Sequence, residues 1–398
     1  MVAVNVWYHV GSKDEQPGRT GFAHLFEHMM FQGSANIGKA EHMRFVERAG
    51  GSFNGSTTWD RTNYFETLPS NYIELALWLE SDRMSSLDVS RENLDNQREV
   101  VKEERRWRVD NRPYGTAWER LFSLAYKRHP YHWPVVGYMS DLEAATVDDV
   151  RKFFSKFYVP NNAVLTVTGD FKIDKVEKLI TKYFAPIPEG ESLRKEFLDE
   201  PPPKRGFEHV RDGVSLPAVY LGFRIPPMTS GSLKALNIAA GILTEGDSSR
   251  LYRKLVYEKR MAKSVDAFAI EMEHPGLFVV SSVVSTSSRP DEVRDIMTNE
   301  LKRLSTELPS ERELEKVKNQ LVSRWIGRMS KAMSRADNLA HYSTFFGDAS
   351  EINTHISCIR SVTREEVSEA ALKFLAVENY AEVTFLPKDY QEKNILTD

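Results

Sequence analysis

Two stretches of this sequence, roughly 220 positions apart, follow one pattern and indicate that the chain is built from two related halves. The first begins at Thr146 as Thr-Val-Asp-Asp-Val, continues with helical periodicity and ends in an alternating segment at 162–169. The second begins at Thr363 as Thr-Arg-Glu-Glu-Val and ends in an alternating segment at 379–385. In both, a threonine N-cap with acidic residues in the first turn predicts a helix, and the alternation predicts a following strand. A tandem duplication is the simplest explanation.

The starts of the halves and the stretch between them support this division. Residues 2–9 and 218–224 both have the alternation of strands, and a charged segment that ends in three consecutive prolines, 201–203, lies between the halves. Consecutive prolines cannot form a helix or a central strand, so they are typical of an extended linker. We therefore predict an N-terminal domain over 1–190, a linker over 191–206 and a homologous C-terminal domain over 207–398.

The order of the predicted elements favours one fold class. Long helices are predicted over 39–49, 71–84 and 311–334, and they occur among hairpin-like strands. Clustered helices beside hairpins favour an α+β class over a doubly wound parallel sheet, with each half a mostly antiparallel sheet packed by helices. Apolar residues alternate from Val2 to Tyr8, so we expect the first strand to be half-buried, with one face in the core.

Composition excludes several other kinds of protein. Of the 398 residues, 28% are charged and the net charge is −4, so no global basic field attracts nucleic acid. The single cysteine, Cys358, cannot form an internal disulfide or a multi-thiolate metal site. No apolar run approaches the ~18–20 residues of a membrane helix, so we expect no membrane span. The first residues resemble a strand rather than a signal peptide, and because a leader can be removed, both a periplasmic and a cytoplasmic location stay open.

The segment with the clearest chemistry is His24-Leu25-Phe26-Glu27-His28. Positions i, i+3 and i+4 of a helix lie on one face, so both imidazoles and the Glu27 carboxylate converge. Two neutral imidazoles at this spacing suit Zn²⁺, which in catalytic sites takes three protein ligands and keeps one position open for water. Glu27 is then placed to accept a proton from that water. This order of residues is the inverzincin motif.

The alternative is that two histidines and a glutamate share a helix face by coincidence, as charged residues often do on a solvated face. Other histidines give no such pattern. His42, His129 and His132 have no spacing typical of metal ligands, so we expect them to be structural.

Several further segments of the chain fit one known family. They are Gly11 to Glu15, Gly21 to Phe31, Gly50 to Gly55, Thr62 to Tyr64, His129 to Tyr131, Gly137 and Tyr158 to Val164. With them the chain resembles, essentially end to end, the pitrilysin/insulysin family of zinc metallopeptidases, which includes the mitochondrial processing peptidases. Within that family it is similar to the bacterial members of the processing-peptidase type and to the subunits that carry the zinc motif. The resemblance implies the fold of that family and a catalytic N-terminal domain.

The resemblance also implies a third zinc ligand on a later helix. The family's glutamate falls on Glu104 of this chain, with the adjacent Glu103 as the alternative. Without the family spacing, this charge-rich stretch would be interpreted as a solvated helix face. Two helical turns earlier, where the family usually has a second glutamate that supports the site, this chain has Gln97. An amide keeps the shape and loses the charge, which is expected to lower the affinity for zinc without abolishing ligation.

Members of the family bind substrate as an extended strand on a sheet edge, where main-chain hydrogen bonds supply affinity. The matching segment implies that Asn54, Gly55 and Ser56 bind substrate here, with Gly55 standing where alanine is usual. An ordinary glycine-rich turn into a strand is the alternative. We expect the glycine at position 55, in place of the family's usual alanine, to alter the edge only slightly.

Active family members also carry an arginine and a tyrosine in the second half, which bind substrate and stabilise the oxyanion. Alignment puts Val256 and Lys263 at these positions, although a shifted alignment would bring in Arg253 or Tyr257. Valine has no hydrogen-bond donor and lysine offers only a mobile point charge, so part of the oxyanion stabilisation is missing. Some family members divide the two sets of residues between two related chains. The resemblance therefore implies a homologous partner in a heterodimer, with a homodimer as the alternative.

Together these observations predict a zinc-dependent metalloendopeptidase that cleaves peptides or unfolded protein segments, with Glu27 as the base. Two alternatives remain within the same family. One is a non-catalytic subunit of an assembly, and the other is a peptidase that removes targeting sequences. The sequence does not separate degradation from processing.

Overall fold

The computed structural model describes residues 1–191 and 200–391, so the predicted linker at 191–206 lies partly outside the described residues. The chain divides into two compact units. The first comprises Met1–Arg106, His129–Asp199 and Val322–Ile356, and the second comprises Trp107–Arg128, Glu200–Leu321 and Ser357–Asp398. Each unit therefore also includes a segment from the other half of the sequence. The boundaries at 190 and 207 remain a prediction about the two homologous halves rather than a description of how the residues pack.

The first unit contains a four-stranded sheet in which every pair is antiparallel. Its strands are β1 (Val2–Tyr8), β2 (Ser52–Thr57), β3 (Thr62–Leu68) and β4 (Ala163–Gly169). The order across the sheet is β2-β3-β1-β4, so β2 is an edge strand that pairs with β3 alone among the described strands.

The second unit contains a five-stranded sheet with the order β5-β9-β6-β8-β7. Its strands are β5 (Gly206–Asp212), β6 (Ala218–Arg224), β7 (Ala262–Ile270), β8 (Leu277–Val284) and β9 (Ala381–Pro387). Only the β5–β9 pair is parallel. Leaving out β5, the order β7-β8-β6-β9 repeats that of the first sheet, strand for strand. The predicted α+β class with two mostly antiparallel sheets is confirmed, and the repeated order supports a duplication.

Helices pack around both sheets. In chain order they are α1 (Phe22–Met29), α2 (Glu41–Arg48), α3 (Ile73–Ser86), α4 (Arg91–Arg105), α5 (Ala117–Ala125), α6 (Met139–Ala144), α7 (Val147–Phe157), α8 (Ile173–Phe184), α9 (Ser232–Thr244), α10 (Pro290–Thr306), α11 (Glu311–Met329), α12 (Ala332–Phe346), α13 (His355–Ser361) and α14 (Arg364–Phe374). Within residues 1–191 and 200–391, none of these helices is both long enough and apolar enough to cross a lipid bilayer.

Local sequence signals account well for where several helices begin. The predicted capping residues are in place, because the side chains of Thr146 and Thr363 accept hydrogen bonds from the third residue of α7 and of α14. The helix predicted over 311–334 is wrong at its end. It stops at Met329, Lys331 has an extended backbone, and α12 starts at Ala332. The Ser330 hydroxyl donates to the carbonyl of Gly327, a local bond that competes with continuation of a helix.

Helix α12 explains why the first strand is more buried than expected. All seven residues of β1 are buried. One face packs on the helices around α1 and α3, and on the other face Trp7 lies 5.8 Å, ring to ring, from Phe345 of α12. The hydroxyls of Thr166 and Thr168 on β4 donate to carbonyls of α12 at 3.0 and 2.7 Å. The strand is therefore covered on both faces, and the prediction of a half-buried strand is wrong.

Candidate metal centre

Helix α1 has its polar residues on one face because the apolar residues of its other face pack into the core. Phe22, Leu25, Phe26 and Met29 are buried, whereas His24, Glu27 and His28 are half-buried. This is the pattern expected of a short amphipathic helix, whose apolar stripe fixes its rotation against the sheet. The three residues of the motif consequently face the same side.

A buried carboxylate holds the start of α1 in place. Gly21, immediately before the helix, has a positive φ of 86°, which favours glycine. The carboxylate of Glu15 accepts hydrogen bonds from the N–H groups of Gly21 at 2.9 Å and of Ala23 at 2.8 Å. An acidic group at a helix N-terminus satisfies amides that the helix itself cannot. Burial raises the pKa of Glu15 well above its usual range, and these hydrogen bonds oppose that rise.

Glu104, in the last turn of α4, completes a cluster with the two histidines. Its Oε2 atom lies 3.1 Å from Nε2 of His28 and 3.7 Å from Nε2 of His24. One donor atom from each of the three residues lies within 4.8 Å of the others. In a tetrahedral zinc site with bonds of about 2.0–2.2 Å, the ligand atoms are roughly 3.3–3.6 Å apart. Two imidazole nitrogens and one carboxylate oxygen at this spacing therefore fit Zn²⁺.

The two candidate glutamates on α4, Glu103 and Glu104, differ in their exposure and in what they face. The Glu103 side chain is 69% exposed and forms an ion pair with Arg106, whereas Glu104 is 16% exposed and faces the histidines. Arg105 anchors this end of the helix by donating to the carbonyl of Gly137 at 2.8 Å. Gln97, two turns before Glu104, is buried, and its amide donates to Oδ1 of Asn96 at 2.8 Å. A supporting role of Gln97 toward the ligands stays a prediction.

Glu27 lies beside the cluster, and a hydrogen bond from the sheet holds its side chain in place. The hydroxyl of Thr57, at the end of β2, donates to Oε2 of Glu27 at 2.6 Å, which leaves Oε1 for another partner. Burial raises the pKa of Glu27, and the hydrogen bond from Thr57 and the charge of His28 oppose the rise. Thr57 was not among the sequence-predicted residues, and neither was Glu15. No local pattern marks them, because their roles depend on which elements pack against α1.

The three predicted substrate-binding residues lie on the edge strand β2, and they differ in what they already contact. The N–H of Gly55 donates to Oδ1 of Asn54 at 2.9 Å, so it points away from β3 and toward the free edge. Ser56 donates its hydroxyl to Asn63 at 2.7 Å and accepts a 2.7 Å bond from Arg61 at its carbonyl.

Gly55 is coupled to the base as well as to the edge. A Cβ at position 55 would lie 2.9 Å from Cγ of Glu27, which is closer than side chains normally approach. The small effect expected of a glycine at position 55 concerned only the strand edge. The contact with Glu27 shows that position 55 also limits where the carboxylate can lie.

The two residues that the alignment puts at the positions of the family's arginine and tyrosine lie in the second unit, and their correspondence with that pair stays a prediction. Val256 is half-buried in a π-helical turn at Tyr252–Glu258, and Lys263 is exposed on β7. Of the two nearby alternatives, Arg253 forms an ion pair with Glu258 at 2.7 Å and Tyr257 is 76% exposed.

A second group of ligand-type side chains lies in the core of the first unit. Nε2 of His42 is 2.7 Å from Oε1 of Glu66, and Glu80 lies beside them. This cluster differs from the first because Arg83 donates to Glu80 at 3.0 Å and stacks 4.5 Å over the ring of Tyr64. Burial lowers the pKa of His42 to about 3 and raises the pKa of Glu80 to about 8. The guanidinium balances the buried carboxylates, as expected of a structural role for His42.

We expect Arg83→Met to destabilise the first unit strongly, by about 3–5 kcal/mol, because it leaves buried carboxylates without their counter-charge. The measurement is the shift of the unfolding midpoint in urea, followed by circular dichroism. Arg91→Met is the matched control, since the Arg91 side chain is 88% exposed and its 3.6 Å ion pair with Asp95 contributes ~0–1 kcal/mol. Equal midpoints for the two variants would contradict this interpretation of the cluster.

Comparisons with known proteins agree with the fold and show the family of the chain. Residues 1–137 match the family described as Insulinase (Peptidase family M16), and residues 144–321 match the Peptidase M16 inactive domain. Zinc protease PqqE of Helicobacter pylori is 32% identical over 346 residues, which cover 86% of this chain and 78% of that protein. An uncharacterized zinc protease of Bacillus subtilis, YmxG, is 23% identical over 384 residues, covering 96% and 91%.

Solved structures show the same architecture. The crystal structure of a protease from Helicobacter pylori superposes with a TM-score of 0.92 at 29% identity, over 97% of this chain and 94% of that one. A peptidase M16 inactive domain from Pseudomonas fluorescens has a TM-score of 0.86 at 19% identity, over 98% and 93%, which shows the fold alone. His24, Glu27, His28 and Glu104 all lie in the stretch that matches the insulinase domain. The chain belongs to the M16 family of peptidases.

Proposed function

We propose that this protein is a zinc-dependent endopeptidase that cleaves peptides or unfolded protein segments and needs a homologous partner chain for full activity. The observation that carries the proposal is the convergence of Nε2 of His24, Nε2 of His28 and Oε2 of Glu104, with Glu27 beside them on the helix of the two histidines. The names of the relatives, zinc proteases, support the same chemistry. A non-catalytic subunit would have no need of a base held next to a metal centre.

His24, His28 and Glu104 would hold the metal. When bound, Zn²⁺ supplies a Lewis acid that polarises the scissile carbonyl and makes water more acidic. Glu27 accepts the proton of the attacking water through Oε1, while Thr57 keeps Oε2 occupied and the carboxylate oriented. Glu27 then delivers a proton to the leaving amine.

The substrate would bind as an added strand on the free edge of β2. The outward N–H of Gly55 is a donor for a peptide carbonyl, and the side chain of Asn54 that now accepts it can turn to hydrogen-bond the same peptide. Ser56 is held by Asn63 and Arg61, so it is expected to shape the edge rather than to bind directly. An edge strand binds through main-chain groups, which suits many peptide sequences.

We expect the purified chain with zinc to hydrolyse a quenched fluorescent peptide slowly, and a homologous chain that carries the arginine and tyrosine to raise the rate by about 10²–10³-fold. The reason is that Val256 supplies no donor for the oxyanion, and the loss of one such donor costs about 10²–10³ in kcat. The measurement is peptide turnover by each chain alone and by the mixture, with the partner recovered by copurification from the native source. Full turnover by a monodisperse preparation of this single chain would contradict partner dependence.

A further inference from the structure

The second unit contains an open pocket whose lining includes Val256 and Lys263, the residues aligned with the family's arginine and tyrosine. It has a volume of about 320 Å³ and lies where the π-helical turn at Tyr252–Glu258 meets the start of β7 and Ser285, the residue after β8. Its polar lining consists of two phenols, two cations and a hydroxyl, from Tyr252, Tyr257, Arg260, Lys263 and Ser285. The remaining lining is small and apolar, and among residues 1–191 and 200–391 no carboxylate is part of it.

The backbone around this pocket is irregular at three successive places. Arg260 has a φ of +53°, a left-handed conformation that L side chains rarely adopt. Three residues later, the β7–β8 register shifts between Ala262 and Ser264, so Lys263 is the extra residue of a β-bulge. The turn before them is π-helical, a form that is rare and frequent at functional sites. A β-bulge changes the direction in which side chains point. Both cations of the pocket lie at irregular backbone positions, Arg260 at the positive φ and Lys263 at the bulge.

The charges near the pocket leave its cations without a counter-ion. In the part of the chain that the structure describes, neither Arg260 nor Lys263 takes part in an ion pair. The acidic residue nearest to Arg260 along the chain, Glu258, is engaged by Arg253 at 2.7 Å. The one nearest to Lys263, Asp266, does not line the pocket. A pocket with two unpaired cations and two phenol donors is complementary to an anion with several acceptor oxygens.

We propose that this pocket binds a carboxylate group of an acidic peptide. A carboxylate can accept paired bonds from the Arg260 guanidinium, with Lys263 and the phenols of Tyr252 and Tyr257 as further donors. The volume suits one side chain or one chain end rather than a folded domain. The carboxylate can come from an aspartate or glutamate side chain or from the C-terminus of the peptide. The inference rests on the proposed peptidase function, since it names a feature of the peptide substrate, but the binding of the carboxylate does not require the metal centre.

Binding can be measured separately from hydrolysis by fluorescence anisotropy of labelled peptides, with the full-length chain in the presence of a metal chelator. The probes are tetraglutamate with an amidated end, tetraglutamine with a free carboxylate, and tetraglutamine with an amidated end. We expect the first or the second probe, according to the source of the carboxylate, to bind about tenfold or more tightly than the third. Equal binding of all three probes would overturn the proposal.

Two variants and a control locate the site. Arg260→Gly and Lys263→Gln should each weaken the preferred probe about tenfold or more. Arg260→Gly also relieves the positive φ, so its melting temperature should be equal to or above that of the wild type, which shows that the fold is intact. Lys259→Gln removes the same charge from an exposed residue that does not line the pocket, and its affinity should stay within twofold of the wild type. A loss in Lys259→Gln equal to that in the pocket variants would refute the site.

Discussion

Replacing Glu27 with glutamine is expected to lower peptide hydrolysis by about 10²–10⁴-fold while the zinc content stays at the wild-type value. Glutamine has the same shape, and its carbonyl oxygen can still accept the hydroxyl of Thr57, which lies 2.6 Å from Oε2 of Glu27. An amide cannot accept the proton of the attacking water at neutral pH. The measurement is kcat of the Glu27→Gln variant, in whichever preparation the wild-type chain is fully active, together with the metal content of the same sample.

The control for this variant is Glu47→Gln. Glu47 lies exposed on α2, so its replacement removes the same charge without touching the centre, and kcat should stay within about twofold of the wild type. A reduced rate in Glu27→Gln accompanied by loss of zinc would mean that Glu27 is needed for the metal rather than as the base. Hydrolysis by Glu27→Gln at the rate of the control would refute the assignment of the base.

The Glu104→Gln variant is expected to lose tight zinc binding, with an affinity lower by more than about 100-fold. Even the loss of a group that only orients a ligand costs about 10–100-fold, and this change removes a ligand and a negative charge together. The remaining pair, His24 and His28, offers two neutral nitrogens, fewer than the three protein ligands of a catalytic zinc site. The measurement is a competition titration against a chromogenic zinc chelator, and unchanged affinity would contradict the ligand role.

Local patterns predicted the parts of the fold that depend on nearby residues. The caps at Thr146 and Thr363 act within one turn of their helices, so the sequence around them contains all the necessary information. The same holds for the shared face of His24, Glu27 and His28, which follows from the helical repeat alone.

Features that depend on distant residues could not be obtained from such patterns. Strands β2 and β3 and helices α2 and α3 separate Glu104 from the histidines along the chain, so only the resemblance to a family singled it out from Glu103. Thr57 reaches Glu27 because of how β2 packs against α1, and the strand carries no signal of that contact. The second buried face of β1 was missed for the same reason, since its cover, α12, comes from the far half of the chain. Tertiary packing decides these contacts, whereas the periodicity of a sequence describes only one helix or strand at a time.

The zinc content of three proteins, dialysed side by side and measured by mass spectrometry, tests the proposed centre most directly. The proteins are the wild type, Glu104→Gln and Glu103→Gln, of which the last changes the adjacent, 69% exposed residue and so serves as the matched control. Stoichiometric zinc in the wild type and in Glu103→Gln, with almost none in Glu104→Gln, is the result that the proposed centre predicts. Zinc retained by Glu104→Gln, or lost from Glu103→Gln, would contradict it.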